Sequence, residues 1–279
     1  MVSKSDYTPV GVAAARSVLV ELMRILGEYG EHIVVIGGSA LPLLIPEASH
    51  EYEGTLDVDL ALDHQELEEE GYARIDELLR NHGYYQKDGE PPFKYFRDVE
   101  TEGQTVTVEV DLLAGEYGGT GKSHRHQVVQ GIKARKARAC DLALDLAVET
   151  SISGVLPGGG EDTVSVRVAM IVPLIVMKGM ALNTRLKEKD SYDIYFSLRN
   201  YPGGMDAVIE EFCPHMGNVL VREGLEHIAA KFSSPHAIGP KHVTDFLEVD
   251  DPEQKDILRR DAFELARQLL TALGIIAGE

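Results

Sequence analysis

The sequence predicts an α+β chain in two parts, with strands and helices interleaved over residues 1–168 and helices alone over residues 169–279. Three observations carry this. Apolar and polar residues alternate with period two through 56–62 and 105–113, which is the pattern of half-buried strands. Val10, Ala14, Val18, Leu22, Ile25 and Leu26 recur at helical spacing. Around Ala169 the pattern changes from strands to helices, and the domain boundary is expected there.

In chain order, the helix over 9–28 is expected to end near Gly27 or Gly30, and His32–Ile36 reads as a buried strand. That strand runs into Gly37-Gly38-Ser39, a tight turn opening a helix, where backbone amides favour a phosphate and glycine lets a ligand approach closely. The next strand, Gly54 to Leu62, is the most informative stretch of the chain. Side chains alternate across a strand, so Asp57 and Asp59 share one face while Leu56, Val58 and Leu60 take the buried one. Two carboxylates side by side repel unless a cation sits between them, and magnesium takes one or two carboxylates together with waters and substrate phosphates. A solvated strand edge is the competing account.

Asp63 and Glu66 resemble a capping box, and Leu67, Ile75, Leu78 and Leu79 carry a helix to Gly83. Short strands are expected near Tyr84 and over 93–97, then a longer one over 105–113 that puts Glu109 and Asp111 on one face. Asp111 is the favoured third carboxylate. Gly121-Lys122-Ser123 imitates the end of a phosphate-binding P-loop, but the position of its first glycine is Glu116 and no apolar helical stripe follows. From Tyr117 to Cys140 there are six basic residues and no acidic one. In a chain of net charge −19 this strip, Lys122 to Arg138, is either a solvated loop or a landing place for a polyanion such as tRNA. Strands over 142–155 and 164–168 follow, joined by a glycine-rich loop.

In the second part, Val172-Pro173-Leu174 opens a helix on which Lys178, Leu182 and Arg185 lie near one face. Asp190 and Asp193 stand on a second helix ending before Pro202, and further helices are expected over 203–213, 216–231 and 252–273. Cys140 and Cys213 have no metal-ligand spacing, and the first twenty residues lack a signal-peptide pattern, so a reducing, cytoplasmic location is expected. The apolar run 168–177 is too short to span a bilayer, and no membrane association is expected.

Taken together, Gly37-Gly38-Ser39, Thr55-x-Asp57-x-Asp59 and Asp111 on a later strand resemble the nucleotidyltransferase fold of the polymerase-β-like superfamily. The run Lys178-x-x-Ala181-Leu182-x-x-Arg185-x-x-x-Lys189-Asp190-x-Tyr192-Asp193-x-Tyr195 is similar to the helical motif of AbiEii-type nucleotidyltransferases, many of which are toxins of bacterial toxin–antitoxin pairs. Where such proteins often carry arginine two residues before the threonine, this chain has Glu53. The resemblance implies a nucleotidyltransferase-like mixed sheet with flanking helices (1–168) followed by a helical domain (169–279). It implies that Asp57, Asp59 and Asp111 bind two Mg2+ (or Mn2+) ions and that Asp111 takes the acceptor proton. Gly37, Gly38, Ser39 and Thr55 would contact the nucleotide, and Lys178 with Arg185 or Lys187 would neutralise the triphosphate. Asp190 and Asp193 would orient those cations or cap their helix. The activity implied is transfer of a nucleoside monophosphate from a nucleoside triphosphate to tRNA or protein, with a cognate antitoxin as a partner. A small-molecule transferase of the antibiotic-modifying kind and an inactive nucleotide-binding module are the alternatives.

Overall fold

The computed structural model describes residues 3–63, 67, 69–101, 103–115, 126–129 and 132–278. The chain is α+β and divides into two compact units. One comprises the described residues of Tyr7–Leu44 and Gly54–Met170, the other residues 3–6, Ile45–Glu53 and the described residues from Ile171 onward. The change from strands to helices falls at residue 170. Two short segments, 3–6 and 45–53, group with the helices although they precede most of the sheet.

The first unit is built on a mixed sheet. Its strands are β1 (Ile33–Ile36), β2 (Asp57–Leu62), β3 (Lys94–Thr101), β4 (Gln104–Ala114), β5 (His126–Val129), β6 (Ile132–Lys136), β7 (Ala147–Val155) and β8 (Glu161–Ala169). Among the described residues the order is β5-β6-β4-β2-β1-β8-β7, with β3 paired to the leading part of β4. β2 runs parallel to β4 in the register Asp57↔Glu109, Asp59↔Asp111 and Leu62↔Ala114. β1 is antiparallel to β2 and parallel to β8.

Helix α1 (Pro9–Ile25) lies on one face of this sheet, against the side to which Leu56 points at Gly11. Its start is fixed by Pro9 in the first turn and by the Thr8 hydroxyl, which accepts from the Gly11 amide at 3.1 Å. Helix α2 (Gly37–Leu44) continues directly from β1, and α3 (Glu69–Asn81) contacts α1. Residues 142–145, expected as the start of a strand, instead belong to a short helix, α4 (Cys140–Asp145). Cys140, Leu142 and Ala143 are its buried residues, and Leu-Ala-Leu favours helix over strand where packing allows either. The described part of the basic strip forms the β5–β6 hairpin. Glu66 of the expected capping box and residues 116–125, which include the P-loop imitation, lie outside the described residues.

The second unit contains α5 (Ile171–Thr184), α6 (Glu188–Asn200), α7 (Gly204–Phe212), α8 (Val219–Lys231), α9 (Ile238–Phe246) and α10 (Pro252–Ala272). Sequence reading missed α9, because Gly239-Pro240 in its first turn looks like a loop signal. α10 starts where the Asp251 carboxylate accepts from the Gln254 amide and ends before Gly274, which adopts a left-handed φ of 67°. Every residue of α6 from Lys189 to Leu198 is buried. Among the described residues no helix is long and apolar enough to cross a membrane.

Helices α5 and α8 meet through two glycines. A Cβ on Gly179 would stand 2.3 Å from the Gly224 carbonyl oxygen, and one on Gly224 would stand 2.9 Å from Val176. Backbone cannot yield as a side-chain tip can, so Gly179→Ala should destabilise the protein by about 2 kcal/mol despite alanine's better helix propensity. Urea unfolding checks this, and an unchanged or raised midpoint would show that the helices tolerate separation.

Candidate functional site

The sheet unit gathers charge at one place. Because paired residues on neighbouring strands point to the same face, the β2–β4 register sets Asp57, Asp59, Glu109 and Asp111 together as two facing pairs. Residues 58, 60, 110 and 112 are fully buried on the opposite side. The face with the carboxylates is partly open: Asp57 and Asp59 are intermediate in exposure and Asp111 is buried.

The Gly37-Gly38-Ser39 turn adjoins these carboxylates. Gly37 has a φ of 64°, and a Cβ there would lie 2.2 Å from Asp59 Oδ2, so both the backbone conformation and the space demand glycine. Ser39 is buried, and its hydroxyl donates to the backbone carbonyl of Asp57 at 3.2 Å, tying the start of α2 to β2. The Thr55 hydroxyl donates to Asp57 Oδ1 in a short hydrogen bond. Thr55 and Ser39 therefore both fix the position of Asp57, and Gly37 clears room beside Asp59.

A further charged residue enters from β3. Lys94 is paired in register with Asp111, yet its ammonium donates to Glu109 Oε1 in a short contact and stands 3.7 Å from Asp111 Oδ1. That oxygen is buried and accepts no hydrogen bond among the described residues. Burial works to lower the Lys94 pKa, but the Glu109 hydrogen bond and the charges of Asp111 and Glu109 outweigh it and the net shift is upward. Sequence reading did not select Lys94. Its signal was weak: a lysine beginning an expected strand, one register step from a strand with two carboxylates.

Asp111 is pushed up to about 6, first by burial and then by the charges of Glu109 and Asp57, against the opposing pull of Lys94 and Arg135. Arg135, from the basic strip, lies with its guanidinium over the Phe93 ring at 5.9 Å. Arg135 thus lies near enough for its charge to act on Asp111. Arg138 is exposed and Lys136 intermediate, while Lys122 and Arg125, and the side chain of Lys133, lie outside the described residues.

The donor set on this face is all oxygen, of the kind a hard divalent cation takes, and the unbonded Asp111 Oδ1 fits such a ligand. In the side-chain arrangement present, no group of three His, Cys, Asp or Glu residues forms a metal site among the described residues.

The helical unit holds its own charge network. Lys178 of α5 donates to Asp190 Oδ1 at 2.9 Å and pairs with Asp193 Oδ2 at 2.6 Å, with 15% of its side chain exposed. Arg185 donates to both oxygens of Asp190, at 3.0 and 3.3 Å. Lys189 donates to Asp193 Oδ1 at 2.8 Å and to the Tyr52 hydroxyl at 2.7 Å, and it lies over the Tyr52, Tyr192 and Phe246 rings. Asp190 and Asp193 therefore hold cations in place. They do not cap α6, whose start at Lys187 has no side-chain cap. Lys187 itself is exposed.

Burial would raise both aspartates, but the cations prevail: Lys178 and Arg185 hold Asp190 down at about 2, and Lys178 and Lys189 hold Asp193 low. In the same way burial would lower Lys178, yet Asp193 and Asp190 raise it. Two predictions follow from these opposite environments. Lys178→Met leaves buried carboxylate charge undercompensated and should cost about 3 kcal/mol in chemical unfolding at neutral pH, a loss absent if the network is incidental. Asp111 behaves inversely, since a carboxyl raised in the folded state contributes stability below its unfolded pKa of about 4 and loses it as pH rises through about 6. With divalent cations chelated, Asp111→Asn should thus be more stable than the parent by about 2 kcal/mol at pH 7, and the difference should vanish near pH 4 in thermal unfolding.

Comparison of the chain with protein-family models, with curated proteins and with solved structures finds no match to any of them.

Proposed function

We propose that the protein is a metal-dependent nucleotidyltransferase, and that Asp57, Asp59 and Asp111 carry its chemistry. The observation that supports this most is the β2–β4 register, which faces Asp59 with Asp111 beside a Gly-Gly-Ser helix start. Carboxylates in such proximity are costly to hold together and are best accounted for by a cationic ligand. Mg2+ or Mn2+ held by these residues would supply charge neutralisation at the attacking and leaving oxygens of an in-line phosphoryl displacement.

The chain's own groups have distinct tasks in this reading. Thr55 and Ser39 fix Asp57 through its carboxylate and its backbone carbonyl. Gly37 and Gly38 stand at the start of α2, where backbone amides would suit the β- and γ-phosphates of a nucleoside triphosphate. Asp111 combines a raised pKa with an oxygen that accepts no hydrogen bond among the described residues, so it is suited to accept the proton of the acceptor hydroxyl. The bond that forms joins the acceptor oxygen to the α-phosphorus, and pyrophosphate leaves.

The acceptor we infer is a macromolecule, tRNA or protein, with Arg135 and Lys136 on β6 and the exposed Arg138 among the described residues of a polyanion-binding strip. The resemblance to AbiEii-type proteins adds a cognate antitoxin as a partner in this reading.

The test is incubation with each α-labelled nucleoside triphosphate, Mg2+ or Mn2+, and either cellular RNA or cellular protein. Wild-type protein should label one of the two pools, and Asp57→Ala and Asp59→Ala should each reduce labelling to background while unfolding at the parent temperature or above. Near-normal transfer by both variants would exclude these carboxylates as its machinery. Absence of label from every pool would exclude macromolecular transfer.

A further inference from the structure

The position of Lys94 has a chemical consequence beyond its cross-strand pairing. Its Cα partner across the β3–β4 ladder is Asp111, but its ammonium is bonded to the diagonal residue, Glu109. Only 20% of the Lys94 side chain is exposed. The Lys94 ammonium therefore stands beside Glu109 and Asp111, 3.7 Å from Asp111 Oδ1, which accepts no hydrogen bond among the described residues. The other two carboxylates of the face, Asp57 and Asp59, belong to the neighbouring strand on the far side of β4 from β3.

A divalent cation attracted to Asp111 must come within a few ångströms of that ammonium. Like charges at such distances repel strongly even under the screening of a protein surface. The ammonium must then move away or the cation must bind less tightly, and the Glu109 carboxylate gives the ammonium a place to remain.

We infer that Lys94 is the resident counter-ion of the carboxylate face, holding Glu109 and Asp111 together when no divalent cation is bound and yielding Asp111 when one binds. The affinity for the divalent cation is then set by an exchange between an internal ammonium and the incoming ion. This inference rests on the proposed metal-dependent reading, and it assigns to Lys94 a positioning role for which the transfer chemistry itself has no need.

The experiment compares wild type, Lys94→Gln, Lys94→Arg, Arg135→Gln and Asp57→Ala by two readouts independent of activity. These are Mn2+ affinity from electron paramagnetic resonance and the unfolding temperature in chelator and in saturating Mg2+. Lys94→Gln should bind Mn2+ about tenfold more tightly than wild type. It should also unfold at a lower temperature in chelator, with the deficit largely removed by Mg2+. Lys94→Arg should stay close to wild type. Arg135→Gln makes the same change in net charge away from the Glu109 contact and should tighten Mn2+ binding far less. If Lys94→Gln folds only with Mn2+ present, that is the same result in stronger form.

Equal tightening by Lys94→Gln and Arg135→Gln would reduce the effect to net charge and overturn the inference, as would unchanged or weaker Mn2+ binding by Lys94→Gln. Those outcomes leave the metal reading intact provided that wild type binds Mn2+ and Asp57→Ala does not. Failure of wild type and Lys94→Gln alike to bind Mn2+ would instead remove the metal reading, and the exchange with it.

Discussion

The register between β2 and β4 is the constraint on which the sheet unit depends. Side chains alternate with period two, so a slip of one residue would turn Asp57 and Asp59 into the space that Val58 and Leu60 fill beneath α1. Burying those carboxylates without partners would cost several kcal/mol each, which is far more than a cross-strand contact can return. The apolar residues thus enforce the alignment, and the acidic ones are carried to the open face by it. What looks like a functional arrangement is held by ordinary hydrophobic patterning.

The two units treat buried charge in contrasting ways. In the helical unit Asp190 and Asp193 are matched by Lys178, Arg185 and Lys189, each at hydrogen-bonding distance, and their carboxyls are driven acidic. That network has the character of a folding element, linking α5 to α6. On the sheet, Lys94 pairs with Glu109 and stands 3.7 Å from Asp111, and burial drives Asp111 the other way.

How much of this could be read in the sequence depended on the range of the interaction. The face shared by Asp57 and Asp59, and that shared by Glu109 and Asp111, follow from local alternation. The bounds of α10 follow from Asp251-Pro252 and Gly274, whose preferences are local too. The facing of Asp59 with Asp111 was only one of the ways the strands could pair, because register across some fifty residues leaves no mark in either segment. Lys94 was overlooked for the same reason. Helix α9 was hidden by Gly239-Pro240, and α4 by an apolar run short enough to suit either structure. The burial of Lys178 was also not legible: a lysine on a helix is usually solvated, and only the two aspartates twelve and fifteen residues later make the interior hospitable to it.

The segment 45–53 illustrates a different kind of dependence. Tyr52 lies between two stretches of the sheet unit in sequence, yet its hydroxyl accepts from Lys189 and donates to Asp193, and its ring packs against Phe196. The chain therefore passes from one unit to the other at residues 6, 44, 53 and 170, and no single cut separates them. Residues 171–279 expressed alone would leave behind the aromatic lid of their own buried lysine. Such interleaving means that neither unit can be excised or exchanged as one contiguous block of sequence.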